Sequence, residues 1–257
     1  LIKNGLVVDP ANLVQTHLNL LLEDGKIVAV TEEEPEADRV IDADGKVVAP
    51  GFIDIHMHED PVKDDKIQFC IFDAMLRMGV TTAVGGNCGI NVYDPVKYLD
   101  LLERDGAPVN VMMFAGHQYY REAAGALDKY SPVTEEQRKM MKKGLEEALE
   151  AGCVGISYGL RYVPGTGREE FLDTASCCQK EHRLISAHVR DDEERVFGAV
   201  AEVAEAGKIF DIPVEISHIG SMAGFGQMEQ LLKQIDGYRM NGMDIACDCY
   251  PYFAFST

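Results

Sequence analysis

From residue 51 onward the chain alternates short apolar or β-branched runs with amphipathic helical stretches, and that rhythm leaves few folds open. The runs are Phe52–His58, Thr81–Asn87, Asn110–Gly116, Val154–Gly159, Leu184–Val189, Val214–His218 and Asp244–Tyr250. Helical patterns fall near 66–78, 95–104, 134–151, 168–182, 191–210 and 225–241, the third opened by Thr134 as N-cap before a glutamate-rich turn. Such alternation builds parallel βα units, because a parallel neighbour is reached only through a crossover. The expectation is an α/β fold, a (β/α)8 TIM-type barrel over residues 51–257, incomplete, with about seven strands present.

Residues 1–50 follow another pattern and predict a small N-terminal β-sheet or sandwich domain, of which only the N-terminal part is present. Leu1–Gly5 and Leu6–Pro10 read as strand, turn and strand. Asn19–Val30 reads as two strands around Asp24-Gly25, a strong hairpin signal, and Val40–Val48 repeats the device around Asp44-Gly45. Residues 1–22 are strand-like without a small-residue cleavage site, so no signal peptide is expected, and a start at Leu1 reads as trimmed.

A formal charge of −19 repels nucleic acid and anionic membranes, so neither is expected as a partner. No apolar run reaches the roughly 18 residues that span a bilayer. Seven cysteines without a Cys-x-x-Cys pair predict free thiols in a reducing, cytoplasmic compartment. Cys70, Cys153, Cys177, Cys178, Cys247 and Cys249 read as packing residues.

The chemistry-bearing residues fall at strand ends. Phe52–His58 reads as a buried strand, with Asp54, His56 and His58 on one face and Ile53, Ile55 and Met57 packed on the other. Two imidazoles one pleat repeat apart, followed by Glu59-Asp60, suit one cation, zinc being the commonest for such ligands. Cys88 ends strand two, His188 strand five and His218 strand six. Barrel closure gathers those C-terminal tips around one axis, where barrel active sites sit. Cys88, between glycines, reads either as a zinc thiolate or as a small buried apolar residue. His117 reads as a group that lines the pocket behind the ligands, and His17 and His182 as surface residues.

These segments resemble the amidohydrolase superfamily, and within it the N-acyl-D-amino-acid deacylases. The residues that carry the resemblance are Val48–His58, Gly79–Thr82 leading to Gly86–Gly89, Gly155–Gly165, Ala187–Asp191, Pro213–His218 and Asp248–Tyr252. The resemblance implies a metal-dependent hydrolase barrel in which Cys88, His188 and His218 hold a tight zinc, while His56 and His58 with Cys88 form a second, weaker site. It implies Tyr162 as a donor to the developing oxyanion, and a small-molecule N-acyl amino acid, D in configuration, as substrate. It also implies an acid/base aspartate on an eighth strand, beyond Thr257. Where many relatives have a lysine two residues after the strand-six histidine, this chain has Gly220; Arg190, Arg161 and Tyr252 are the candidates to bind a substrate carboxylate instead. An open barrel edge favours a homo-oligomer. Two alternatives stay open: a cyclic amidase, of a kind that usually carries a bridging lysine, and a catalytically incomplete metal-binding fragment.

Overall fold

The structure is a computed structural model that describes residues 1–252 and residue 254. The chain divides into two compact units, Leu1–Phe52 and Ile53–Thr257.

In the first unit β1 (Ile2–Asp9), β2 (Val14–Glu23) and β3 (Lys26–Thr31) form an antiparallel meander. Asp24 (φ 48°) and Gly25 (φ 74°) supply the two left-handed residues of the β2–β3 turn, whose twist matches that of the flanking strands. The other two turn expectations fail. Leu1–Pro10 holds one strand: Asn4 at φ 66° and a register shift between Ile2 and Gly5 make a bulge that kinks β1 without reversing it. Around Asp44-Gly45, β4 (Ile41–Asp42) and β5 (Val47–Val48) each pair in parallel with β1, not with each other. The Asp42 carboxylate accepts Asn4 Nδ2 at 2.9 Å and the Asp44 N–H at 3.1 Å, which ties this segment along β1.

The second unit is built on β6 (Phe52–Asp54), a hairpin of β7 (Val62–Lys63) and β8 (Lys66–Ile67), then β9 (Val80–Gly85), β10 (Asn110–Gly116), β11 (Gly155–Gly159), β12 (Leu184–His188), β13 (Val214–Ile216) and β14 (Ile245–Cys247). Its main sheet runs β6-β9-β10-β11-β12-β13-β14, and every pair from β9 to β14 is parallel. A doubly wound sheet reverses its order at a switch point. This one never reverses, so it winds one way and curls as a barrel wall does. The curl brings the residue after the last strand to the segment after the first: His56 Nδ1 lies 3.0 Å from Asp248 Oδ2.

Helices α1 (Ile71–Arg77), α2 (Pro95–Asp105), α3 (His117–Ala123), α4 (Glu135–Glu150), α5 (Arg168–Ala175), α6 (Val196–Phe210), α7 (Ile219–Met222) and α8 (Met228–Met240) fill the crossovers. α4 opens with a reciprocal cap between Thr134 and Gln137 and buries Met141, Leu145, Ala148 and Leu149, one stripe at helical spacing. β11 is buried along its whole length, and Ile156, Tyr158, Phe171, Val200 and Val203 are fully enclosed. Covering on both faces is what a parallel sheet requires, and each large side chain so enclosed contributes about 1.5–3 kcal/mol. Among the described residues no helix is long and apolar enough to cross a membrane.

Three expectations need correction. The first strand ends at Asp54, not His58, and Phe52 and Ile53 are 69% and 70% exposed, not packed. Asp54 Oδ1 accepts the His56 N–H at 3.0 Å, which turns the chain out of the ladder. α3 went unforeseen, because His117–Ala123 is polar and its N-cap, Gly116, has no capping side chain. Cys153 and Cys178 pack in the core, but Cys70 and Cys249 are exposed, and the Cys70 thiol donates to Asp60 Oδ1 at 2.9 Å.

Candidate metal centre

The site is organised by the tight turn Gly86-Asn87-Cys88-Gly89 after β9. Gly86, Cys88 and Gly89 all have left-handed backbones, with φ of 75°, 56° and 76°. For Cys88 this is a strained conformation, tolerated only where the surroundings hold it. The holding groups are specific. Asn87, fully buried, donates from Nδ2 to the carbonyls of Val84 (2.8 Å), Ile55 (3.1 Å) and Met57 (3.3 Å), stitching the His56–His58 segment to the cysteine turn. Ser157 on β11 donates to the Gly86 carbonyl and accepts the Gly89 N–H at 3.0 Å. Gly159 must stay small, since a Cβ there would lie 2.2 Å from the Cys88 carbonyl oxygen.

The two acids after His58 belong to this bracing. Glu59 accepts the N–H groups of Gly86 at 3.0 Å and Val92 at 2.9 Å. Asp60 accepts those of Cys70, Ile71 and Phe72 and so caps the start of α1. Neither joins the donor cluster.

With the turn fixed, Cys88 Sγ faces three imidazoles: His56 Nε2 at 3.3 Å, His218 Nε2 at 3.7 Å and His188 Nδ1 at 4.0 Å. Two donor groups share this sulfur, His56–His58–Cys88 and Cys88–His188–His218, and within each the candidate ligand atoms lie within 4.8 Å of one another. Sulfur and nitrogen ligands at ordinary zinc bond lengths in a tetrahedron stand about 3.6 Å apart. The observed spacings bracket that value, so this donor set fits a zinc-sized cation.

The electrostatics agree. Burial, reinforced by the His218 and His56 rings, pushes His188 down to about 3. Burial and His56 push His218 down to about 4. Both rings are therefore neutral at pH 7, with lone pairs available. Burial, with Asp248 and Glu215, lifts the Cys88 thiol to about 12; a bound cation would favour its thiolate. His218 sits at φ 36°, and its carbonyl accepts the Ser221 hydroxyl at 2.9 Å.

Two acids behind the donors had no role in the sequence reading. Asp248, just past β14, meets His56 Nδ1 and also accepts the His218 N–H. Buried Glu215 accepts the hydroxyls of Ser186 (2.6 Å) and Ser217 (3.0 Å) and the Asp248 N–H (3.1 Å). Burial and Asp248 raise Glu215 well above the carboxylate range. Burial works to raise Asp248 too, but the hydrogen bonds it accepts from His56 and from the His218 N–H help to hold it low. The available signal was position: Asp248 stands at a strand tip within one of the motif segments.

Of the remaining candidates, Tyr162 lies beside the donors, its ring centroid 4.4 Å from that of His188. Burial, then Cys88, raises its phenol to about 12. Arg161 is 46% exposed and shared with Asp191 (3.6 Å) and Asp192 (3.3 Å). Tyr252 is 64% exposed. Arg190 is a correction. Its guanidinium is committed to Glu202 (2.7 Å) and the Thr166 carbonyl (2.8 Å), which leaves it engaged in holding the loop after β11. His117 is another: it is buried against Glu170, not in the pocket. His17 and His182 are exposed.

Comparison with known proteins bears on this geometry. A model of the amidohydrolase family matches residues 39–159. D-aminoacylase of Alcaligenes xylosoxydans xylosoxydans is 30% identical over the whole of this chain and 58% of its own. N-acyl-D-glutamate deacylase of the same organism is 32% identical over the whole of this chain and 57% of its own. The crystal structure of N-acyl-D-glutamate deacylase from Bordetella bronchiseptica, complexed with zinc and a phosphonate mimic of the tetrahedral intermediate, matches at TM-score 0.86 and 29% identity, covering 98% of this chain and 58% of that one. The chain thus spans less than three-fifths of the length of these relatives. Residues 39–159 thus match the amidohydrolase family, and over its whole length the chain is similar to the N-acyl-D-amino-acid deacylases.

Proposed function

We propose that this chain carries the metal-binding wall of a zinc-dependent hydrolase that cleaves the linear amide of N-acyl amino acids, N-acyl-D-amino acids in particular. The observation that carries the reading is the Cys88 sulfur, held in a strained turn and facing His56, His188 and His218 at 3.3–4.0 Å. Cys88, His188 and His218 would hold the tighter zinc, and His56 and His58 with Cys88 a weaker second one. When bound, zinc supplies Lewis acidity that polarises an amide carbonyl and makes water a better nucleophile. Tyr162, kept a phenol by its raised pKa, would donate a hydrogen bond to charge developing on the carbonyl oxygen. Arg161 would be the cation that meets a substrate carboxylate, in competition with Asp191 and Asp192.

The test uses the full-length protein: zinc per chain by elemental analysis, and amino acid released from paired N-acyl-D and N-acyl-L substrates. The expected result is at least one tightly held zinc and release of the D product. A protein that purifies without zinc, takes none up and releases neither product overturns the reading.

A further inference from the structure

We propose that Asp248 is a positioning residue that sets the tautomer of His56 and the backbone turn of His218, keeping both donor groups aimed at Cys88. The inference rests on the zinc reading above and assigns a role to a residue from the opposite edge of the sheet. Asp248 follows β14 and His56 follows β6, the two edges of the seven-stranded order. One carboxylate therefore links the first and last strands, and it does so at the donor cluster.

Both oxygens of Asp248 act as acceptors. Oδ2 lies 3.0 Å from His56 Nδ1, and Oδ1 takes the His218 N–H. An ionised carboxylate can only accept, so Nδ1 of His56 must carry the hydrogen. The other ring nitrogen, Nε2, is then left with its lone pair, and Nε2 is the atom 3.3 Å from Cys88 Sγ. The second contact acts on the backbone. His218 has φ 36°, a conformation that costs free energy in a non-glycine residue, and Oδ1 holds its N–H in that turn, with Nε2 3.7 Å from the same sulfur. Asp248 is itself fixed. Its N–H donates to Glu215 Oε1 at 3.1 Å and to the Ile216 carbonyl at 3.1 Å, and its carbonyl accepts the Ile219 N–H at 3.0 Å. Glu215 in turn is gripped by two serine hydroxyls.

This double acceptance gives the proposal a signature that a space-filling role lacks. Asparagine has the same shape but only one acceptor. In Asp248→Asn an amide NH2 must face either the His218 N–H or the hydrogen-bearing Nδ1 of His56. The second clash is relieved if His56 moves its hydrogen to Nε2, which turns a donor N–H toward Cys88. Alanine removes both contacts but imposes no wrong tautomer.

The experiment uses the full-length protein, wild type, D248N, D248A and D248E, each checked for fold by circular dichroism. Zinc affinity is measured by competition with a chelator, and the His56 tautomer by 15N chemical shifts in the metal-free protein. D248N is expected to weaken zinc binding about 10–100-fold and at least as much as D248A, with D248E recovering part of the loss. Wild-type His56 is expected in the Nδ1–H form and D248N in the Nε2–H form. D248N with wild-type affinity, or D248N much better than D248A, overturns the proposal in favour of simple packing. An Nε2–H tautomer in the wild type overturns it even if D248N does not fold. A wild type that binds no zinc defeats the functional reading, while the tautomer measurement still decides the role of Asp248.

Discussion

His117 and His188 are both buried in the same unit, 1% and 6% exposed, yet their neighbours differ in kind. His117 Nε2 lies 3.0 Å from Glu170 Oε1, which also accepts Arg121 Nε at 3.1 Å. Arg121 spends the rest of its guanidinium on the carbonyls of Ala126, Asp128 and Ser131. Donors there face acceptors and the cation faces an anion, with only Glu170 Oε2 left without a hydrogen-bond partner among the described residues of the cluster. Its product is architecture: the 126–131 segment is held in place, and its Lys129 carbonyl accepts the Gly165 N–H at 2.8 Å, steadying the loop that carries Tyr162. His188 has a thiol, another imidazole and the Tyr162 ring as its neighbours, and among the described residues no carboxylate partner. Lone pairs converge on lone pairs. A buried histidine is thus assigned by what its nitrogens face, more than by how deeply it is buried.

Breaking each cluster should therefore fail in a different currency. Cys88→Ala removes the atom shared by both donor groups and should cost more zinc affinity than the 10–100-fold typical of outer-shell changes, so at least about 100-fold, with activity falling in parallel. Elemental analysis and chelator competition on the folded variant measure it. Arg121→Ala should act on stability instead. It leaves the Glu170 carboxylate buried beside an unoccupied cation position, a change worth about 3–5 kcal/mol in chemical denaturation, with zinc affinity of the folded fraction unchanged. Equal loss of zinc in both variants would erase the distinction.

Acid should separate the clusters too. The folded metal-free protein protonates His188 only near 3 and His218 only near 4, whereas in the unfolded chain both take protons near about 6.5. The unfolded state binds protons first, so these rings' contribution to stability is complete above about pH 6.5 and declines as pH falls toward 4. The slope is up to about 1.4 kcal/mol per pH unit for each ring. Denaturation midpoints of metal-free protein between pH 7.5 and 4.5 measure it, and a double alanine variant at 188 and 218 should flatten the profile. Cys70→Ala sets the small end of the scale. It loses one exposed thiol hydrogen bond to Asp60, should cost about 1 kcal/mol or less, and should leave zinc content as it was.

Much of this was legible in the chain. The alternation after residue 51 foretold the parallel sheet, because binary patterning and crossover length are local properties. The strand-tip positions of Cys88, His188 and His218 were enough to suggest a meeting point, since the fold gathers tips. What escaped depended on partners distant in sequence. Asp248 meets His56 from 192 residues away, and nothing local marks it as that ring's acceptor. Arg190 read as a free cation because Glu202, one side of a helix later, is visible as its partner only once α6 is folded. Glu59 and Asp60 lent weight to the metal reading by following His58, but backbone N–H groups claim them. The run Phe52–His58 has strand composition throughout, yet the Asp54 side chain, by accepting the His56 N–H, ends the ladder three residues in.

The most direct test of the central claim is zinc K-edge X-ray absorption on the full-length protein, wild type beside Cys88→Ala. With Cys88 as a ligand, the wild type should show a sulfur scatterer near about 2.3 Å together with nitrogen at about 2.0–2.1 Å, and the variant should lose the sulfur shell. A wild-type spectrum with only oxygen and nitrogen around the metal, or one left unchanged by the substitution, would contradict it.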